Sequence, residues 1–249
     1  MPSFASYPSL RRKSVFVSGG GSGIGASIVE HFAAQGAKVG FVDIDEAASA
    51  AIAAKTGALF VKCDIRDVKA YRAAIDKVAA SHGPITALIN NAARDDRHDI
   101  ADVTPEFFDE RMAVNLRHAY FAIQAVAPGM KTAGGGSIVN FSSVSYHTMT
   151  PRLSVYQAAK AAVIGMTRGL ARDLGPDGIR LNSITPGWIM TQRQIDLWLT
   201  PESEADLMKA QVLKEKVYPA DIARMALFLA SDDSRLISAQ NFVVDGGRM

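Results

Sequence analysis

Tyr156 and Lys160 stand four residues apart, one helical turn, so on a helix they would share a face. Ser143 precedes Tyr156 by thirteen residues. These three types could remove the proton of an alcohol while its carbon gives up a hydride, a reaction that needs a positioned base. Tyrosine, with an ordinary pKa of about 10, is a poor base at neutral pH unless its phenolate is stabilised. The Lys160 ammonium would lower that pKa through its charge, and Ser143 would hydrogen-bond the reacting oxygen. Taken alone, the commoner reading of such a pair is an amphipathic-helix tyrosine beside a solvated lysine. The chemistry therefore depends on what else the chain carries.

A hydride needs an acceptor, and residues 18–25 offer a place for one. They read Ser-Gly-Gly-Gly-Ser-Gly-Ile-Gly, directly after a β-branched run and directly before a helical pattern. Glycine there allows backbone angles closed to other residues and close approach of a pyrophosphate. The start of the helix turns free N–H groups and its positive dipole end toward that pyrophosphate. Asp43 ends the next strand, about twenty residues on, where a carboxylate can accept hydrogen bonds from the adenosine ribose hydroxyls. A 2′-phosphate would meet that negative charge, and no basic residue stands in the loop to receive it: Ser22 occupies the loop and Ile44 follows the aspartate. The expected cofactor is NAD, not NADP. Tight turns also use glycine, and Asp43 read alone is a solvated carboxylate; the placement between strand and helix favours the dinucleotide.

The elements that must hold these groups alternate. Short β-branched runs at 14–18, 38–43, 58–63, 86–89, 137–141, 180–184 and 241–244 predict strands. Residues 26–35, 46–55 and 68–81 predict the first helices, and longer helical patterns follow. Strands separated by such helices imply right-handed βαβ crossovers and a parallel sheet covered on both faces. The predicted fold is α/β, a three-layer doubly wound parallel sheet of Rossmann type. No repeat, linker or low-complexity stretch divides the chain. Residues 1–249 are expected to form a single dinucleotide-binding and catalytic domain, with 1–13 as an N-terminal extension.

The bulk numbers exclude other classes. Apolar residues make up 48% and charged residues 21% of 249, which suits a sizeable core. Net charge is +2 with Lys and Arg scattered, which argues against a nucleic-acid partner. Cys63 is the only cysteine, leaving no internal disulfide and no zinc cluster; it reads as a small buried hydrophobe at a strand end, and no metal is expected. No run approaches the roughly 18–20 apolar residues that span a bilayer, and no signal-peptide pattern opens the chain. A cytoplasmic enzyme with no membrane contact is expected.

In joint order and spacing, the glycine loop, Asn90-Asn91-Ala92, Asn115, Ser143, Tyr156-Gln157-Ala158-Ala159-Lys160, Pro186-Gly187 and Val244-Asp245-Gly246-Gly247 resemble the short-chain dehydrogenase/reductase family. The resemblance covers almost the whole chain. It implies a catalytic set of Asn115, Ser143, Tyr156 and Lys160, in which Asn115 holds a water linking Lys160 to solvent and Lys160 also bonds the nicotinamide ribose. It implies a cofactor site of Gly19, Ser22, Gly23, Ile24, Gly25, Asp43, Asp64, Ile65, Asn91, Ala92, Tyr156, Lys160, Pro186, Ile189 and Thr191. Within that set, Asp64 and Ile65 match positions along the adenine, and Ile189 and Thr191 match the nicotinamide carboxamide and phosphate contacts. Two positions depart from the pattern. Ser18 replaces the usual threonine but keeps its hydroxyl. Ala93 replaces the usual glycine, which brings the geometry of that loop into question. The resemblance also implies a homotetramer built on the helices near Asn115 and Tyr156 and on the last strand.

Three loops, 93–98, 144–153 and 188–211, should bound the substrate, and they carry Arg94, Asp95, Asp96, Arg97, His98, His147, Arg152, Gln192 and Arg193. Directional polar groups suit a sugar or polyol better than a steroid or acyl chain, although loop polars are often merely solvated. Ser143, Tyr156, Arg94, His147 and Trp188 are the expected substrate contacts. Asp95-Asp96-Arg97-His98, Asn115-Leu116-Arg117-His118 and Trp198-Leu199-Thr200-Pro201-Glu202 resemble, more narrowly, bacterial NAD-dependent aldose 1-dehydrogenases of the D-xylose dehydrogenase type. That implies oxidation of the C1 hydroxyl of a pentose or 6-deoxyhexose to the lactone, with Arg117 and His118 read as a subunit contact. The alternatives are NAD-dependent oxidation of another polyol, a sugar acid or a deoxy-keto sugar acid, and a non-catalytic NAD-binding sensor. A sensor would need the dinucleotide site but not the proton relay.

Overall fold

In the computed structural model, which describes residues 4–249, strands and helices alternate from the start of the sheet. The order runs β1 (Ser14–Ser18), α1 (Gly23–Ala34), β2 (Lys38–Asp43), α2 (Glu46–Thr56), β3 (Leu59–Lys62), α3 (Val68–His82) and β4 (Ala87–Asn90). It continues with α4 (Pro105–Met112), α5 (His118–Thr132), β5 (Gly136–Phe141), α6 (Ser154–Leu174) and β6 (Ile179–Pro186). Last come α7 (Gln192–Trp198), α8 (Pro201–Ala210), α9 (Pro219–Ala230) and β7 (Asn241–Val244). All seven strands pair in parallel in the order β3-β2-β1-β4-β5-β6-β7. This is the doubly wound sheet that the alternation predicts.

The sheet feeds two cores because successive strand side chains point to opposite faces. Val15, Val17, Ile89 and Val139 pack with Ile28, Val29 and Phe32 of α1 and with Ile222, Ala226 and Leu227 of α9. Phe16, Leu88 and Ile138 pack on the other face with Tyr71, Ile75 and Val78 of α3 and Ile123, Val126 and Met130 of α5. A strand buried on both sides reads as an unbroken apolar run, which is why β1 has no polar alternation.

Several boundaries differ from the sequence expectation for local reasons. Helix α1 starts at Gly23, inside the glycine loop, three residues before the first apolar periodic position. The helical stretch around Asn115 is not continuous: a π-helical turn, Ala113–Arg117, joins α4 to α5. The expected loop 188–211 contains α7 and α8, each with a threonine N-cap: Thr191 accepts from the Gln194 N–H and Thr200 from the Ser203 N–H. Of the N-terminal extension, residues 4–13 dock on the body. Leu10 is fully buried, and Lys13 Nζ donates to the Ala230 carbonyl at 3.0 Å. No helix among the described residues is long and apolar enough to cross a membrane.

The sheet reverses direction of growth between β1 and β4, and a ligand crevice opens beyond the carboxyl ends of strands at such a point. Ser18, Asn90, Asn140 and Ser183 stand at one level across β1, β4, β5 and β6. Everything expected to do chemistry follows one of those positions.

Candidate active site

The crevice is a cleft of about 1090 Å³ that runs from Asp43 to Trp198. Its nucleotide half is built from backbone. Gly19 holds φ +70°, and a Cβ on Gly25 would lie 1.8 Å from the Gly19 carbonyl oxygen, so the loop closes on itself too tightly for any side chain there. Ser22 precedes α1 in extended conformation and makes no side-chain cap bond, unlike the aspartates that cap α2 and α3. The first N–H groups of α1 therefore remain for an anionic ligand. This cradle fits the pyrophosphate of a nicotinamide dinucleotide. Gly19, Ser22, Gly23, Ile24 and Gly25 all line it, with Asn91, Ala92, Pro186, Ile189 and Thr191 on the facing wall.

The β1 and β4 ends are laced together. Ser18 Oγ accepts from the N–H groups of Asn91 and Ala92, both at 3.1 Å, so the serine performs the hydrogen bonding its hydroxyl suggested. Asn91 Nδ2 donates to the carbonyls of Ser18 and Gly19. Ala93 is exposed and keeps a negative φ, so its methyl group costs the loop nothing.

Asp43 Oδ2 accepts from the Gly21 N–H at 2.9 Å and Oδ1 from the Asp45 N–H at 3.0 Å, which aims the carboxylate into the cleft beside Ile44. Asp64 and Ile65 line the same end, and so does a cation that the sequence reading did not place there. Arg66 sits beside them, gripped by Asp64 at 2.6 Å and by Glu110. The Arg66 guanidinium holds the Asp64 carboxyl below its ordinary range. Cys63 is buried at the edge of this wall, and burial raises its thiol to about 11, so it is an inert packing residue.

The reacting end is positioned by buried amides. Asn90 Nδ2 donates to Asn140 Oδ1 at 2.8 Å, and Asn140 Nδ2 donates to Thr167 Oγ1 at 3.0 Å, which pins α6 to the sheet. Ser142 Oγ donates to the Lys160 carbonyl, and Lys160 Nζ donates back to the Phe141 carbonyl, both at 2.8 Å. Tyr156, Lys160 and Ser143 thus converge on one wall of the cleft. Ser143 Oγ accepts from the Ser145 N–H at 3.2 Å and lies within hydrogen-bond reach of the Tyr156 hydroxyl.

The electrostatics differ from the sequence expectation at one point. Lys160 Nζ is turned to the Phe141 carbonyl, 5.7 Å from the Tyr156 ring centre, and Tyr156 is raised, not lowered. Desolvation pushes Tyr156 above its ordinary value, Asp95 adds to the rise, and only the Ser143 hydroxyl opposes it. Burial pulls Lys160 down to about 7, against Asp95, which favours its charge.

Other expected residues fall elsewhere. The Asn115 side chain is occupied: Oδ1 accepts from the Arg94 N–H at 2.9 Å and Nδ2 donates to the Arg94 carbonyl at 3.1 Å. It clamps the loop after β4 from the π-helical turn and does not line the cleft. His147, expected at the substrate, does not line the cleft. The short turn Val144–Tyr146 swings it outward, where it stacks on Tyr146 in solvent, and Thr148 and Thr150 line the cleft instead. His118 is no surface contact. It is buried against Tyr71, and burial together with the Lys160 charge pushes it down to about 3. His98 is also buried, bonded to Ser154 Oγ at 3.1 Å.

Arg94 and Trp188 do line the substrate end. Residues the sequence reading did not assign to the site join them: Gln194, Trp198 and Arg248. Gln194 could have been suspected from its place in loop 188–211, but no local signal marks Arg248. It is brought in by β7 and by Asp245, whose carboxylate accepts from the Gly247 and Met249 N–H groups.

Comparisons with known proteins agree with this architecture. The family model described as Enoyl-(Acyl carrier protein) reductase matches residues 19–248. The probable galactose dehydrogenase of Rhizobium meliloti (strain 1021) is 51% identical over 247 residues, covering 97% of this chain and 96% of that one. The D-xylose 1-dehydrogenase of Caulobacter vibrioides is 47% identical over 250 residues, covering 98% and 99%. A solved short-chain type dehydrogenase/reductase from Mycobacterium ulcerans superposes with a TM-score of 0.91 at 28% identity, covering 98% of this chain and 91% of that one.

Proposed function

The chain belongs to the short-chain dehydrogenase/reductase family, and from that premise we propose that it transfers a hydride from the C1 hydroxyl of an aldose to NAD, giving the lactone. The observation that carries this reading is near-full-length identity of 51% and 47% to two sugar dehydrogenases. The polar substrate end supports it: Arg94, Asp95, Thr148, Thr150, Gln192 and Gln194 offer directional hydrogen bonds to hydroxyl groups. Pentoses and 6-deoxyhexoses are the first substrates to consider, and the galactose in one relative's name extends the set to hexoses.

Held through its pyrophosphate by the glycine loop, a nicotinamide dinucleotide would supply the hydride acceptor. The chain's own residues do the rest. Ser143 donates a hydrogen bond to the C1 oxygen, and Tyr156 takes the hydroxyl proton as the carbon is oxidised. Lys160, one turn along α6 with its Nζ 5.7 Å from the Tyr156 ring centre, is the cation placed to stabilise a phenolate. Asn115 fixes the Arg94 backbone and so holds the loop after β4 that carries Arg94 and Asp95 at the substrate end of the cleft. Positioning and preorganised hydrogen bonds supply most of the rate gain.

Asp43 supports NAD over NADP, because a 2′-phosphate would have to displace its carboxylate from the Gly21 and Asp45 N–H groups. Arg66 offers no remedy while Asp64 and Glu110 hold it. In this reading residues 1–249 work as one dinucleotide-binding and catalytic domain in the cytoplasm. The chain pairs into a homotetramer through the apolar groove where Leu116 and Tyr120 face Met166 and Leu170.

The test is NADH formation from NAD over a panel of aldoses, polyols and sugar acids, with Tyr156→Phe as control. Turnover on one or two aldoses that is lost in the control supports the proposal. Activity on sugar acids alone moves the enzyme to another substrate class, and silence with NAD still bound favours the sensor.

A further inference from the structure

Helix α7 roofs the sugar end of the cleft, yet none of its residues is buried. Apolar packing does not hold it in place. What holds it is polar and converges on one residue of the loop after β4. Asp95 Oδ1 accepts from the Arg193 guanidinium at 3.1 Å, and Oδ2 accepts from Gln194 Nε2 at 2.8 Å. Gln194 Oε1 in turn accepts from Trp188 Nε1 at 2.9 Å, so one side chain links the carboxylate to the loop after β6. A second tie runs from the same loop, where the Arg97 guanidinium lies 3.8 Å over the Trp198 ring. Asp95 itself lines the cleft with Tyr156.

We propose that Asp95 is the positioning residue that latches α7 over Tyr156, and that breaking its bonds to Arg193 and Gln194 opens the sugar end of the cleft to admit substrate and release product. The inference rests on the sugar-dehydrogenase reading for what passes through the opening, but not for the existence of the latch. The physics favours a latch over a fixed wall. A segment held by a few partly solvated polar contacts belongs to the least stable part of a fold, and such segments are the ones that open and close. A carboxylate also has about four acceptor positions, of which the two partners take two, so substrate hydroxyls can bond Asp95 while the latch is shut. Asp96 beside it is engaged otherwise, with Arg111 and with Arg94 at 3.3 Å, and reaches Arg193 only at 3.5 Å.

Both tryptophans of the chain, Trp188 and Trp198, sit in these ties, so tryptophan fluorescence reads the roof without any substrate. Acrylamide quenching is compared among full-length wild type, Asp95→Ala, Arg193→Gln and the double variant, with melting curves as a check that each folds. The expected result is a quenching constant raised about twofold in Asp95→Ala, the effect of losing two contacts to a partly exposed carboxylate. The double variant should then quench no more than Asp95→Ala alone, because the two residues share one interaction. With an aldose that the wild type oxidises, KM should rise about fivefold in Asp95→Ala while kcat does not fall, since the variant also removes the carboxylate that opposes the Tyr156 phenolate. Quenching in a well-folded Asp95→Ala that equals wild type overturns the proposal, and so do strictly additive effects in the double variant. A kcat that falls at constant KM overturns it too, by placing Asp95 in the chemistry. If no aldose is oxidised, the quenching comparison still decides the latch, and the failure belongs to the substrate reading alone.

Discussion

Replacing Lys160 with methionine should make the protein more stable at neutral pH while removing its turnover. The amine is 2% exposed and has one hydrogen bond, to the Phe141 carbonyl at 2.8 Å. Burial lowers its pKa from 10.5 to about 7. At about 1.4 kcal/mol per pH unit, that fall puts the cost of keeping the ammonium inside at about 5 kcal/mol. The sign follows from proton counting. Between pH 7 and 10.5 the unfolded chain holds a proton that the folded chain does not, so stability rises with pH across that window. Below about 7 the full cost is carried, and above 10.5 it is gone. Methionine is unbranched and fills a similar channel, but it forfeits the Phe141 bond, worth about 1 kcal/mol. The variant should therefore be more stable by about 3–4 kcal/mol at pH 6.5, with the gap closing toward pH 10. Urea unfolding of both chains at matched protomer concentration, from pH 6.5 to 9.5, measures this. The other titrating groups are common to the two chains, and His118, whose pKa the Lys160 charge also lowers, titrates well below this range in the folded protein. A difference that stays constant over that range, or a variant less stable at pH 6.5, would show that the Lys160 pKa is not depressed and would refute the reasoning. Turnover should fall by about 10²–10⁴ in the same variant, as expected when the group supporting a general base is lost.

Gly25→Ala places a methyl group 1.8 Å from the Gly19 carbonyl oxygen, so the loop must open. NADH affinity, read by fluorescence titration, should fall at least about 100-fold with a stability loss of about 3 kcal/mol; near-normal binding would show that the loop is not the pyrophosphate cradle. Asp43→Ser combined with Ile44→Arg removes the carboxylate and adds a phosphate-binding fork, so the ratio of kcat/KM for NADP over NAD should rise about 100-fold or more. An unchanged ratio would remove Asp43 from cofactor choice.

The parts of the site that were legible in the sequence are those whose chemistry is local. A glycine loop between strand and helix needs only its neighbours to be recognised, and Ser18, Gly19 and Gly25 take the roles their types suggest. Tyr156 and Lys160 share a face because α6 is regular through both. Misreadings arose where helical phase is broken. The π-helical turn at Ala113–Arg117 carries one extra residue per turn, so a steady 3.6 period through this stretch points its residues the wrong way. That is how His118, next to an exposed Arg117, enters the core. His147 failed for a related reason: a short turn after Ser143 decides which of several polar residues faces inward, and composition carries no trace of that turn. Arg248 reaches the cleft by tertiary packing, whereas Arg66 follows Asp64 and Ile65 directly and is held there by Asp64.

The charges around Tyr156 connect the roof to the chemistry. Asp95 raises both Tyr156 and Lys160, so its negative charge opposes the phenolate and favours the ammonium at once. A bare carboxylate there would hinder the base even as it helped the lysine. Arg193 and Gln194 draw that charge away from the ring when α7 is in place, since a carboxylate bonded to a guanidinium projects a weaker field than a free one. A shut latch thus excludes water from the reacting end and screens the one carboxylate that works against proton removal. The two consequences follow from a single set of contacts, and for that reason the roof and the base should respond together when Asp95 loses its partners.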